Sequence, residues 1–88
     1  MKLKYAFAVR EVGGSAMAVA VGEDSDKYNG LVRLNEVGRI IFEMLADSVT
    51  EEEIVSRILA EYEVTEEEAA RSVSSFIAKL RGEGLIAD

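Results

Sequence analysis

The sequence predicts an α+β fold in which a three-stranded antiparallel sheet precedes three helices. Three observations carry that expectation. Large and small side chains alternate on either side of Gly13-Gly14. The apolar run Leu31-Val32-Arg33-Leu34 passes through Asn35 into apolar residues at helical spacing. A threonine followed by three glutamates occurs twice, at Thr50 and at Thr65, each time ahead of a run with a helical apolar period. Strands gathered at one end and helices at the other are the pattern of an α+β domain.

The first strand starts at Leu3. Leu3, Tyr5, Phe7 and Val9 point one way and Lys4, Ala6, Ala8 and Arg10 the other, as in a half-buried strand. After the glycines, Met17, Val19 and Val21 share one face and Ala16, Ala18 and Ala20 share the opposite one. Two such runs around a Gly-Gly turn read as an antiparallel hairpin. The large side chains of both strands are expected to make the core face, leaving the alanines in water or against another backbone. Residues 22–30 form a polar loop. Its Asp24, Asp26 and Asn29 lack the third ligand, the glycine position and the closing glutamate of a calcium loop, so no metal is expected. The third strand spans residues 30–34 and ends the sheet.

Asn35 is placed to cap the first helix by accepting the backbone N–H of Val37 or Gly38. Val37, Ile40, Ile41, Met44 and Leu45 give that helix its apolar stripe. Gly38 costs about 0.5–1 kcal/mol relative to alanine in a helix, which implies a neighbour too close for a Cβ. The two Thr-Glu-Glu-Glu runs are capping boxes, with carboxylates where a helix N-terminus carries partial positive charge. Behind the first, Ile54, Val55, Ile58, Leu59 and Tyr62 form one face; behind the second, Ala69, Val73, Phe76, Ile77 and Leu80 form another. The turn between them is short, at Glu63-Val64. Gly82 and Gly84 stop the last helix, and Leu85-Ile86 returns to the core. A small sheet beside two helices joined by a tight turn is a winged helix-turn-helix, and residues 1–88 form a single domain.

Composition narrows the function. A chain of 88 residues buries roughly 60–65% of its unfolded surface, which leaves little room for an enclosed active site. It has no cysteine and no histidine, so disulfides, thiolate nucleophiles, zinc fingers and the commonest general base are all absent. The glutamates stand at helix starts, where solvation is the default, and no phosphate loop or nucleophile with a partner base is present. Neither catalysis nor a cofactor is expected. Nucleic acid is disfavoured as well: the net charge is −7, and Glu66, Glu67 and Glu68 occupy the start of the would-be recognition helix, where phosphates would be repelled. No stretch has the length of a membrane span or a signal-peptide core, and a cytoplasmic location is expected. What remains is a binding module. A free edge on the third strand can accept an extended peptide, with the last helix walling the groove through Ser72, Ser75 and Lys79. The alternative is a small dimerisation or regulatory winged-helix domain without DNA binding, in which the same edge or the alanine face joins two copies as a homodimer.

The residues also carry a family resemblance. Leu34-Asn35-Glu36-x-Gly38-x-x-Ile41-Phe42-x-x-Leu45, then Thr50-x-Glu52-Glu53-Ile54-Val55, resembles the signature of the PqqD-like family. So do Val9-Arg10-Glu11-Val12, Glu61-Tyr62-Glu63-Val64 and Phe76-x-x-Lys79-Leu80-x-x-x-Gly84-Leu85-Ile86. Phe42 stands where that family often has tryptophan. The resemblance implies a peptide-recognition element of ribosomal peptide natural-product pathways. Such a domain binds the leader of a precursor peptide as an added strand and presents it to a modifying enzyme, often a radical S-adenosylmethionine (SAM) enzyme, in pyrroloquinoline quinone (PQQ) or related biosynthesis. Carried onto this sequence, the implied peptide contacts are Leu31, Val32, Arg33 and Leu34 from the strand and Ser72, Ser75, Phe76 and Lys79 from the helix.

Overall fold

In the computed structural model, described for residues 1–28 and 30–88, a three-stranded sheet precedes three helices as predicted, and two short strands that were not predicted, one near each end of the chain, flank them. In order the elements are β1 (Lys2–Leu3), β2 (Phe7–Val12), β3 (Ser15–Ala20), β4 (Leu31–Leu34), α1 (Glu36–Met44), α2 (Glu51–Glu61), α3 (Glu66–Gly82) and β5 (Ile86–Ala87), with a 3-10 turn at Gly22–Asp26; the flanking pair is β1 and β5. Asn29, named above among the potential calcium ligands, lies outside the described residues.

The main sheet has the order β2-β3-β4, all antiparallel. Gly13 and Gly14 both have positive φ, +59° and +82°, as a two-residue turn that matches strand twist requires. That turn pairs Val12 with Ser15, and the register then sets Phe7 opposite Ala20 and Val9 opposite Ala18. Directly opposed residues share a face, so the large face of β2 meets the small face of β3. The expected core face is therefore wrong on β3. Ala18 is completely buried, between Val9 and Val32, while Met17 and Val19 lie half-buried on the opposite face. The physical reason is volume. An alanine on the middle strand, flanked by Val9, Val32 and Leu34, leaves depth for the helices above.

The predicted first strand is also divided. Leu3 and Lys4 leave the hairpin and donate to Leu45 and Leu85 carbonyls, at 2.8 and 2.7 Å, and β1 pairs with β5 in a separate two-stranded sheet. The chain bends at Lys4-Tyr5 before β2 begins. Asp24 holds the far side of that bend by accepting the Ala6 N–H at 2.8 Å.

All three helices lie on the Phe7 and Val9 side of the sheet. Ile41, Phe42 and Leu45, Ile54 and Ile58, and Ala69, Val73, Ile77 and Leu80 make one core with Ala18, Val32, Leu34 and Leu85. The Phe42 ring meets Phe7 edge-on with centroids 5.2 Å apart, and Phe7 meets Tyr28 at 5.8 Å. Leu59, expected on the inner face of α2, is 36% exposed at its rim. Both capping boxes form: Thr50 Oγ1 accepts from Glu53 N and Thr65 Oγ1 from Glu68 N, each at 3.1 Å, with the glutamates returning to the threonine amides. Each cap is worth about 1 kcal/mol. At the end of α3 it is Gly84, with φ +74°, that turns the chain, while Gly82 remains helical. Leu85 N reaches Leu80 O and Gly84 N reaches Arg81 O, both at 3.0 Å, the paired bonds of a Schellman stop.

Candidate peptide-binding site

β4 alternates strictly. Val32 and Leu34 are 3% and 6% exposed, whereas Leu31 and Arg33 face outward. The four strand residues singled out in the sequence thus divide in their roles, with the side chains of Val32 and Leu34 taken up by the core. The backbone divides the same way. In a two-residue hairpin the residues flanking the turn exchange hydrogen bonds, and bonded and non-bonded pairs then alternate along the ladder. Val12 with Ser15 sets the phase, and Val21 N donating to Ala6 O at 3.0 Å continues it at the far end. Ser15, Met17 and Val19 therefore bond to β2, and Ala16 and Ala18 bond to their β4 partners Leu34 and Val32. The N–H and C=O groups of Leu31 and Arg33 point away from the sheet, on its free edge.

A groove of about 410 Å³ lies between the start of α1 and the outer flank of α3, and meets the end of β4 at Asn35. Ser72, Ser75, Phe76 and Lys79 all line it, so the four helix residues named in the sequence stand together on one wall. The opposite wall is Asn35, Val37, Gly38 and Ile41. The sequence had assigned Asn35, Gly38 and Ile41 to architecture, and they serve that purpose too. Asn35 Oδ1 accepts the Gly38 N–H at 2.7 Å, capping α1. A Cβ on Gly38 would stand 3.0 Å from that same oxygen and 3.4 Å from Cε1 of Phe76. The glycine neighbour left unnamed by periodicity is thus Phe76, whose half-buried ring closes the groove floor. Val37 belongs to the apolar stripe by its period; its place immediately before Gly38 is the signal that it also lines the groove. A second hollow, about 610 Å³, opens where β4 enters α1 and includes Arg33, Leu34, Glu36 and Arg39. Arg39 is already engaged there, paired with Glu11 and with Glu43, and these carboxylates raise its pKa.

Electrostatically the site is mildly basic in an acidic chain. Among the described residues the ion pairs take up Lys27, Arg39, Arg57, Arg71 and Arg81, and leave Arg33 and Lys79 without a carboxylate. No polar or charged side chain is buried among the described residues, so nothing in the site has the desolvated setting that tunes an acid, base or nucleophile. Main-chain donors and acceptors on an edge, an apolar floor, two hydroxyls and two cations can bind an extended polypeptide.

Comparison with known proteins bears on the family and the fold. The family model for coenzyme PQQ synthesis protein D (PqqD) matches residues 18–86. Among solved structures, TbiB1 in complex with the TbiA(beta) leader peptide superposes with a TM-score of 0.75 at 25% identity, over 100% of both chains. A lasso peptide synthetase B1 complexed with the leader peptide has the same fold, with a TM-score of 0.74 at 18% identity over 99% of this chain and 96% of that one. No curated protein sequence matches. With most of its length, from β3 to β5, matched by the family model, the chain belongs to the PqqD family.

Proposed function

We propose that the protein captures the leader segment of a ribosomally made precursor peptide as a strand added to β4 and presents it to a modifying enzyme, without chemistry of its own. The outward amides and carbonyls of Leu31 and Arg33, together with the groove of Gly38, Ser72, Ser75, Phe76 and Lys79, carry this reading. Membership of the PqqD family supports it, as does the leader peptide in the TbiB1 complex. Magnitudes assign each part a share. Four main-chain hydrogen bonds at about 1 kcal/mol each supply the free energy of a millimolar complex. Tighter capture requires leader side chains in the groove, and these also set specificity. The reading extends to a radical SAM enzyme of PQQ or related peptide biosynthesis as the partner, acting in the cytoplasm; the family model, that of a coenzyme PQQ synthesis protein, supports the pathway class alone.

The test is titration of a labelled leader, from a short precursor peptide found in a neighbouring gene, into isotope-labelled protein. Amide shifts should concentrate on Leu31, Arg33 and the Ser72 to Lys79 flank of α3. Shifts confined elsewhere would sink the proposed site. Proline scanning sharpens it. Arg33→Pro removes an outward donor at an edge position that tolerates proline, and should weaken leader binding at least tenfold in a protein that still folds. Val32→Pro removes a bond to Ala18 and should unfold the sheet, as read by circular dichroism.

A further inference from the structure

The face of the sheet turned away from the helices has no partner within the described chain. Parity places Ala8, Arg10 and Val12 of β2, Ser15, Met17 and Val19 of β3, and Leu31 and Arg33 of β4 on it. Register sets Arg10, Met17 and Arg33 in one row across the three strands, and Ala8, Val19 and Leu31 in the next. Val12 is 59% exposed and Leu31 52%. None of these eight residues is acidic, although the chain carries a net charge of −7, and among the described residues neither Arg10 nor Arg33 has an ion-pair partner.

We infer that this face docks an apolar, acidic surface of the modifying enzyme, an inference that rests on the leader-capture reading above. Charge selects the occupant. A second copy meeting this face by its own equivalent would set Arg10 and Arg33 against themselves, and opposed like charges destabilise a sheet contact. An anionic bilayer would meet a strongly acidic chain. An enzyme surface with carboxylates around an apolar centre matches the row Arg10, Met17, Arg33 directly. The leader enlarges the same face. Added beside β4, it becomes a fourth strand, and every second leader side chain joins the exposed surface next to Leu31 and Arg33. The enzyme then reads domain and leader as one surface, and engages the loaded form in preference to the empty one.

The experiment compares wild type, Arg10→Glu and the double variant Arg10→Glu/Val12→Glu, both positions lying on β2, at the opposite edge of the sheet from β4. Leader affinity by fluorescence anisotropy should stay within twofold for all three. Conversion of the full precursor by the modifying enzyme whose gene neighbours that precursor's should fall at least tenfold in the variants. Unchanged conversion with unchanged leader affinity overturns the docking face alone. A wild-type dimer that the double variant dissociates, or wild-type binding to phosphatidylglycerol vesicles that Arg10→Glu abolishes, overturns it in favour of those occupants. Failure of wild type to bind leader removes the docking inference together with the reading beneath it. Arg10→Glu alone decides the matter if the double variant melts early.

Discussion

At the scale of single residues, Gly38 shows how one position serves both fold and groove. Gly38→Ala should gain about 0.5–1 kcal/mol of helix propensity and lose a similar amount as the new methyl presses on the capping Asn35 Oδ1, 3.0 Å away. Urea midpoints should therefore move little, while leader affinity falls several-fold because the methyl stands on the groove floor against Phe76. Asp24 offers a test in pH. The Ala6 N–H foremost, and Lys27 after it, hold its carboxyl below the ordinary value against partial desolvation. A carboxylate depressed in the folded state stabilises fully above its unfolded pKa, and that contribution is lost as pH falls through the folded one. The stability gap between wild type and Asp24→Ala should thus be constant near neutrality and close below about pH 4, as measured by urea denaturation across pH. The helix wall was legible at this scale, because Ser72, Ser75, Phe76 and Lys79 follow three-and-four spacing. What they face was not, since periodicity fixes a helix's side without naming its neighbour.

At the scale of elements, the hairpin shows what pattern alone misses and turn length supplies. Large residues occupy odd positions on both β2 and β3, and alternation alone suggests that they share a face. A two-residue turn at Gly13-Gly14 makes partner numbers sum to an odd value, so odd positions on one strand must oppose even positions on the next. The turn overrides the hydrophobic pattern, and the alanines go inside. Ala18→Leu should therefore be disruptive: overpacking a completely buried site costs roughly 1–3 kcal/mol, visible as a lower thermal midpoint. Met17→Leu, on the other face, should leave that midpoint within a degree or two. The helices were far easier to read, because each cap is a local signal that needs no knowledge of the partner. The split between β1 and β2 was not legible, as nothing in the alternation of Leu3 to Val9 records that Leu3 and Lys4 pair with residues more than forty positions away.

For the whole molecule, stability rests on one small core that the last residues complete. Leu85 is fully buried, and a Leu→Ala change at such a site costs about 2–5 kcal/mol, a large share of the roughly 5–15 kcal/mol typical of a domain. Leu85→Ala should accordingly shift the urea midpoint more than any change on the exposed sheet face. Its effect on leader affinity should appear only where the fold is already partly lost. The pairing of β1 with β5 has a further consequence. Lys2 lies opposite Ala87, so the two ends of the described chain leave the fold side by side. A short flexible joint from residue 88 to residue 1 should close the backbone into a ring with little strain, and the strand could be reopened within the polar loop at residues 22–26. Equally, the domain could be spliced as a cassette into an exposed loop of a carrier protein, both connections spanning only the width of two neighbouring strands. Leader capture should survive either rearrangement, because β4 and α3 lie in the uninterrupted part of the chain.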